Sequence, residues 1–320
     1  MAVERRFRAM GSDAHVIVVG GPRSLALEAQ HRIDDLERRW SRFDDQSEVS
    51  ALTRFAGSPV VVSAETLELV ERALAAWRLT GGLFDPTLLG PLVRAGYDRS
   101  FEALGPTAQG GYSTLETGAG GIQVIANTVR IPARTGFDPG GIGKGLAADI
   151  VVDEIMAEGA TGVCVNLGGD VRVEGTGPSG NAWTVAVEHP HHEEPLASVG
   201  LARGAVATST TLRRAWSVDG EPRHHLIDPA TGRPSTGDLT FVTVVAGHAW
   251  MAEVLAKAVL LHGTPHQFDL LAGNGAAAFA IDHSGRISAT LGIDAYLAEP
   301  FHPSVPREHV EPPLEYASAS

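Results

Sequence analysis

The sequence contains one cysteine, Cys164, which excludes an intrachain disulfide. It lies in the apolar run 162–166, where a buried and unreactive thiol is expected rather than a nucleophile. No basic run exceeds an arginine pair, and the formal net charge is -13. An acidic chain without a basic stripe is not attracted to phosphate backbones or to anionic lipid. We therefore expect neither nucleic acid nor a membrane as a partner.

Long hydrophobic runs are also missing. No apolar stretch reaches the roughly 20 residues that a membrane-spanning helix needs. Residues 1–8 contain no apolar signal segment and no cysteine for lipid attachment. These features predict a cytoplasmic protein, unless a leader segment has been removed. The 320 residues suffice for one large domain, which we assign to 1–297 and follow with a loose Pro/Glu-rich tail, 298–320.

Hydrophobic periodicity predicts an α+β fold of hairpins and isolated helices. Apolar residues at helical spacing predict helices at about 24–40, 64–80, 146–158 and 249–261. Short apolar or alternating runs predict strands at 13–20, 122–124, 129–131, 163–167, 170–173, 183–188, 199–208, 224–228, 240–246, 276–281 and 287–290. Strands and helices do not alternate steadily, so a doubly wound α/β fold is not favoured.

The densest glycine cluster, residues 136–145, runs into the helix predicted from Leu146. Glycine backbone can approach a ligand closely, and a helix N-terminus offers unpaired N–H groups. Lys144 adds a positive charge, so the segment favours a phosphate or pyrophosphate site over a solvated turn. A Walker A loop is excluded because Gly145 stands where Ser or Thr must hold Mg²⁺.

Two further segments contain candidate polar residues. In 224–232 an apolar strand end enters a Pro-to-Gly turn, and one continuous strand would place His225 and Ile227 on the same face. A histidine there can transfer protons. This segment alone, however, favours a structural histidine whose hydrogen bonds are satisfied inside the fold. In 82–87, Asp85 follows a helix end, where it either forms the turn or contacts a ligand.

Taken in order, these segments resemble the FAD:protein FMN transferase family, also called the ApbE family. The matching pieces span about residues 7 to 263 and are 10–12, 41–43, 47–50, 82–87, 138–145 with Asp149, 166–170, 207–209 and 225–232. The resemblance implies one compact α+β domain, related to the T-fold, with FAD in a cleft. It implies flavin contacts at Met10, Phe43, Leu83, Phe84, Asp85, Asp138, Lys144 and Ile227.

The same resemblance implies a reaction. A Thr or Ser hydroxyl of an acceptor flavoprotein attacks the FMN phosphorus of FAD, FMN becomes a phosphoester on the acceptor, and AMP leaves. His225 matches the histidine implicated in transfer, and Asp228 accompanies it in the same motif. The reaction needs a base for the hydroxyl and positive charge on the pyrophosphate.

The metal site departs from the family pattern. The family's late helix usually supplies Asp and, four residues later, Thr to Mg²⁺, together with a backbone carbonyl of the glycine-rich loop. Here these positions are Glu253 and Lys257, and the carbonyl is that of Gly141. An ammonium group cannot ligate a hard cation. We hypothesise that Lys257, held by Glu253, replaces Mg²⁺, so magnesium binding stays open.

Three functions remain open from the sequence. His225 and Asp228 favour an FMN transferase, whereas the altered pair at 253 and 257 favours an FAD-binding protein without transfer activity. An FAD pyrophosphatase giving FMN and AMP is the third. The sequence names neither the acceptor protein nor the oligomeric state.

Overall fold

A nine-stranded sheet forms the centre of the computed structural model, which describes residues 1–190, 194–299 and 307–309. In chain order the strands are β1 (Ala2–Ala9), β2 (Ser12–Val19), β3 (Val60–Val61), β4 (Thr107–Ala108), β5 (Gln123–Ile125), β6 (Thr128–Arg130), β7 (Gly162–Leu167), β8 (Asp170–Gly175), β9 (Trp183–Val187), β10 (Ala197–Leu201), β11 (Arg203–Thr210), β12 (Ala215–Val218), β13 (Glu221–His224), β14 (Ile227–Asp228), β15 (Arg233–Pro234), β16 (Leu239–Ala246), β17 (Ala277–Asp282), β18 (Ile287–Ala289), β19 (Leu297–Glu299) and β20 (Arg307–His309). The helices are α1 (Leu25–Trp40), α2 (Glu48–Arg54), α3 (Ala64–Leu79), α4 (Leu89–Arg94), α5 (Phe101–Leu104), α6 (Gly143–Ala157) and α7 (Ala249–His262), with short 3₁₀ turns at Ala119–Gly121, Asp269–Leu271 and Leu291–Ala295.

The central sheet has the order β1-β2-β7-β8-β11-β16-β17-β18-β20. Its neighbouring strands are antiparallel, except that β18 and β20 are parallel. Smaller sheets are formed by β19-β10-β9, β13-β12-β4, β3-β6-β5 and β14-β15. Hairpin-built antiparallel strands with segregated helices define an α+β fold. The predicted fold class is confirmed.

The central sheet is covered on both faces. Helices α1, α6 and α7 pack on one face, and the sheet of β9, β10 and β19 lies over the other. Strand β16 is buried along its whole length because successive side chains point to opposite faces. Val242 and Val244 join the helix-side core, whereas Phe241 and Val245 join the second core.

The structure corrects two local predictions that concern the site. The helix predicted from Leu146 begins at Gly143, so Lys144 lies in its first turn. The strand predicted at 224–228 is interrupted, because β13 ends at His224 and β14 begins at Ile227. His225 therefore lies on a bend between strands, and the expected alternation of faces does not apply to it.

The ends of the chain hold strands that periodicity did not predict. Strand β1 alternates exposed charged residues with half-buried ones, so it lacks an apolar run. At the start of the predicted tail, 298–320, β19 pairs with β10, and within it β20 pairs with β18; the rest of this tail lies outside the described residues. Across the described ranges, no helix combines the length and apolar character needed to cross a bilayer.

Candidate active site

The candidate residues meet where the first turn of α6 packs beside α7. Gly145 makes this approach possible, because a Cβ at that position would overlap the carbonyl group of Ala249. Both helices lie on the same face of the central sheet. Lys144, from α6, and Glu253 and Lys257, from α7, are thereby brought into one cluster.

Lys144 joins two buried carboxylates. Its ammonium group is ion-paired with Asp170, the first residue of β8, and lies 3.1 Å from Oε1 of Glu253. The second oxygen of Glu253 accepts a hydrogen bond of 2.8 Å from the backbone N–H of Gly145. Burial lowers the pKa of Lys144, against the opposing charge of Glu253. Both Glu253 oxygens are therefore engaged by the protein itself.

The backbone N–H groups around the start of α6 are largely paired as well. Those of Ile142 and Gly143 donate to the carbonyl of Pro139, at 3.2 and 2.9 Å, and that of Gly145 donates to Glu253. The N–H groups of Ile142, Gly143 and Gly145 are therefore not free to receive a pyrophosphate, which was expected of this helix start. Positive charge at this point comes from side chains instead.

Lys257 is buried with 7% of its surface exposed. Its ammonium nitrogen donates to the carbonyl of Gly140 at 3.2 Å and lies 5.4 Å from the centroid of the Phe84 ring. Gly141 has φ +99°, and a Cβ on it would lie 2.8 Å from Cδ of Lys257. The glycine-rich loop therefore makes room for the lysine chain, and the acceptor is the Gly140 carbonyl rather than that of Gly141.

Carboxylates surround Lys257 without direct contact. Burial lowers its pKa, and the negative charges of Asp138, Glu253 and Asp85 oppose that shift. Within the part of the chain that the structure describes, Glu253 pairs directly with Lys144 and not with Lys257. The expectation that Glu253 holds Lys257 by a direct ion pair is therefore wrong.

A divalent cation does not fit these residues. Position 257 presents an ammonium group, which repels a cation, and the Glu253 carboxylate is occupied by Lys144 and Gly145. Over the described ranges, no group of three His, Cys, Asp or Glu side chains is placed to hold a metal. The contacts at this place suit an ammonium group better than Mg²⁺.

His225 is half-buried on the bend between β13 and β14. Its Nδ1 atom is buried and has no hydrogen-bond partner among the residues described. Burial and the positive charges of Arg214, Lys257 and Lys144 hold its pKa well below the ordinary value of 6.5. The imidazole is therefore neutral at neutral pH, with one ring nitrogen able to accept a proton.

Arg214 belongs to the cluster but has no motif that reveals it. It adopts φ 50°, and its Nη2 atom donates to the carbonyl of Gly11 at 3.1 Å. Met10 and Gly11 form the turn between β1 and β2 with φ 51° and 63°. The charge of Arg214 also lowers the pKa of Lys144 and of His225, so Arg214 acts on both groups from the Met10-Gly11 turn. Only its membership of an arginine pair was visible in the sequence.

The exposed ring of Phe43 is linked to Asp138 through Arg42. The Arg42 guanidinium lies 4.2 Å from the ring centroid of Phe43 and 4.5 Å from that of Tyr97. Arg42 Nε is 3.2 Å from the Asp138 carboxylate, and Phe43 remains 42% exposed. A planar ring can stack on this surface. Tyr97 lies in no recognisable motif, so sequence reasoning missed it.

Asp85 stabilises its own turn. Its Oδ1 atom accepts hydrogen bonds from the backbone N–H of Thr87, at 2.7 Å, and from the Thr87 hydroxyl. Its charge also raises the pKa of Lys257 against the effect of burial. Leu83 is half-buried beside it, whereas Phe84 is fully buried. Asp85 is therefore both a turn residue and part of the charged cluster.

Asp228 forms the turn between β14 and β15. Its two carboxylate oxygens accept from the Ala230 N–H and from the Thr231 hydroxyl, each at 2.9 Å. Ile227, beside it, is buried in a small cluster with Trp216. The hydrogen bonds found for Asp228 in the described structure lie within this turn, so they do not link it to His225.

Asp149 orients α7. Its carboxylate oxygens accept from the backbone N–H groups of Ala249 and Trp250, each at 2.9 Å, and Oδ1 lies 3.0 Å from Nε of the fully buried Arg172. A carboxylate at a helix N-terminus satisfies N–H groups that have no partner within the helix. Asp149 therefore positions the helix that carries Glu253 and Lys257.

Comparisons with known proteins agree with this geometry. A model of the ApbE family matches residues 10–280, and the chain belongs to the ApbE family. The chain is 30% identical over 293 residues to "FAD:protein FMN transferase" of Salmonella typhimurium, covering 87% of this chain and 83% of the relative. It is 28% identical over 259 residues to the Vibrio cholerae protein of the same name, covering 77% and 75% of the two chains.

Solved structures show the same fold. The ApbE protein of Thermotoga maritima aligns with a TM-score of 0.84 and 26% identity, covering 93% of this chain and all of its own (100%). The apo form of the Pseudomonas stutzeri flavinyl transferase ApbE aligns with a TM-score of 0.80 and 25% identity, covering 94% and 98%. The predicted single α+β domain of the ApbE type is confirmed.

Proposed function

We propose that the chain is an FAD:protein FMN transferase that attaches FMN to a Thr or Ser hydroxyl of an acceptor flavoprotein. The observation that carries this proposal is His225, a neutral imidazole with an unpartnered buried nitrogen, among the positive charges of Lys144, Lys257 and Arg214. A base beside several cationic side chains suits transfer of a phosphoryl group to a hydroxyl. Membership of the ApbE family and the names of its relatives support the same function.

Each part of the cluster has a role in this reaction. His225 accepts the proton of the acceptor hydroxyl as its oxygen forms a bond to the FMN phosphorus. The phosphorus–oxygen bond to AMP breaks, and positive side chains stabilise the charge that develops on the departing phosphate. Phe43 offers a surface on which the flavin ring stacks. Asp228 holds the turn that follows His225.

The test is an incubation of the protein with FAD and a candidate acceptor protein, followed by intact-protein mass measurement and chromatography of AMP. FMN gained by the acceptor together with released AMP is the expected result. An acceptor whose target hydroxyl has been removed is the control and should stay unmodified. AMP and free FMN without acceptor would indicate a pyrophosphatase, and unchanged bound FAD would indicate a binding protein. Either outcome would contradict the proposal.

We expect no Mg²⁺ at this site, and the cytoplasmic location stays a prediction. Direct titration of the protein with Mg²⁺ would test the first, and fractionation of cells would test the second.

A further inference from the structure

The chain uses lysine at two positions. Lysine and arginine together number 25, and the only lysines of the sequence are Lys144 and Lys257. Both lysines lie in the cluster at the start of α6. Arginine presents a wide planar fork, whereas lysine places a compact point charge at the end of a slender chain. A protein that otherwise uses arginine throughout has its compact cations at one place.

Lys257 has unused hydrogen-bonding capacity. An ammonium group carries three donors, and the described residues supply one acceptor, the carbonyl of Gly140. Two of the carboxylates whose charges act on it are engaged elsewhere, because Asp138 pairs with Arg42 and Glu253 pairs with Lys144. A buried charge without a direct counter-ion is unfavourable unless a ligand provides one. An anionic ligand would satisfy it.

Lys144 keeps the neighbouring carboxylates from recruiting a metal. It bridges Asp170 and Glu253, and the remaining oxygen of Glu253 is bound to the N–H of Gly145. A divalent cation would have to displace an ammonium group from two carboxylates and would still face Lys257. The positive charge that a metal would bring is already built into the protein.

We propose that Lys144 and Lys257 form a built-in cationic pair that takes the place of a divalent metal against the FAD pyrophosphate, so that FAD binding and FMN transfer need no metal. This inference rests on the proposed function. In the transfer step, the Lys257 ammonium neutralises charge on the departing AMP phosphate and keeps its proton. The compact ammonium is required because the Gly140-Gly141 backbone lies closely against the lysine chain.

Calorimetry with FAD and riboflavin tests the pair. FAD affinity should agree within about twofold between excess EDTA and added Mg²⁺. Lys257→Met should weaken FAD binding by about tenfold or more while leaving riboflavin binding unchanged, because riboflavin has no phosphate. Lys257→Arg should not restore FAD affinity, since the charge is kept but the guanidinium fork does not fit. A purely structural role would instead weaken both ligands equally and would overturn the inference.

The presence of two lysines also permits a direct measurement. Protein labelled with ¹³C at lysine Cε should give two side-chain signals in a heteronuclear NMR spectrum. FAD added in EDTA should shift both signals, and Mg²⁺ alone should shift neither. If FAD shifts the signals only after Mg²⁺ is added, the inference is wrong. This readout does not depend on an acceptor protein or on turnover.

A reversal experiment completes the test. Glu253→Asp combined with Lys257→Thr installs the residue types that the ApbE resemblance implies for Mg²⁺. FAD binding by this double variant should become sensitive to EDTA and recover with Mg²⁺. FAD binding by the double variant that does not depend on metal would count against the inference. FAD binding by the parent protein that is lost in EDTA would count against it as well. If the double variant does not fold, Lys257→Met and the labelled parent still decide the matter.

The inference and the proposed function fail separately. FAD bound without metal but not transferred would refute the transferase function and support the cationic pair. Transfer that stops in EDTA and returns with Mg²⁺ would support the transferase and overturn the pair.

Discussion

Asp149→Ala should destabilise the protein strongly, because the carboxylate satisfies several buried groups at once. Without it, the N–H groups of Ala249 and Trp250 lose their acceptor, and the fully buried Arg172 loses one of its two carboxylate partners. Removing one partner of a buried ion pair typically costs about 3–5 kcal/mol. Losing a helix cap typically costs about 0.5–2 kcal/mol. Because Arg172 keeps Glu174 at 2.8 Å, we expect a total of about 3–5 kcal/mol rather than the full sum.

Urea unfolding at neutral pH measures this loss directly. The stability of a typical domain is about 5–15 kcal/mol, so the midpoint of Asp149→Ala should fall substantially. Asp149→Asn retains one acceptor oxygen and should lose less, about 2 kcal/mol. The matched control is Asp153→Ala, an exposed aspartate on the same helix, which should change stability by under about 0.5 kcal/mol.

Two results would refute the reasoning. One is a loss for Asp149→Ala no larger than that for Asp153→Ala. The other concerns the pair itself: Asp149→Ala combined with Arg172→Met should be less destabilising than the sum of the single variants, because no unpaired buried charge remains. Simple additivity would mean that the two side chains stabilise the fold independently.

Four further predictions concern the site. Calorimetry should rank FAD above FMN and FMN above riboflavin, because positive side chains receive the phosphates; equal affinities would contradict this. His225→Ala should abolish FMN transfer while FAD remains bound. A transfer rate close to that of the parent protein would disprove the role of His225 as the base. Since burial and neighbouring cations hold the pKa of His225 below 6.5, the acid limb of kcat/KM should lie below pH 6.5. Arg214→Met removes a positive charge and should move that limb to higher pH. Asp85→Ala should weaken FAD binding, and unchanged affinity would leave Asp85 a turn residue alone.

The four longest helices, most of the strands and the family were accessible from the sequence, whereas the short helices α2, α4 and α5 were not predicted. Periodicity predicted α1, α3 and α7 almost to the residue, because an amphipathic or buried helix repeats every 3.6 residues whatever surrounds it. The apolar residues around Glu253 and Lys257 also indicated that both charges are buried, as they are. The order of short motifs was sufficient to identify the ApbE family.

Strand β1 and the break at His225 were not accessible in this way. Strand β1 lies at the sheet edge, and its alternating charged residues face outward, so it lacks the apolar run that marks a strand. The strand predicted at 224–228 is interrupted because its two halves pair with different partners: β13 ends at His224 and pairs with β12, whereas β14 begins at Ile227 and pairs with β15. Both features depend on what packs against the segment.

The pairing of charges was decided by the tertiary structure alone. Sequence spacing joined Glu253 to Lys257, four residues apart on one helix, whereas the fold joins Glu253 to Lys144, more than a hundred residues away. Several carboxylates and cations are within reach of one another, and distance and burial select among them. The types of charged residue at the site could therefore be predicted from the sequence. Their partners follow from the close packing of α6 on α7, which requires glycine at position 145. This packing also determines which charged groups remain available to bind a ligand.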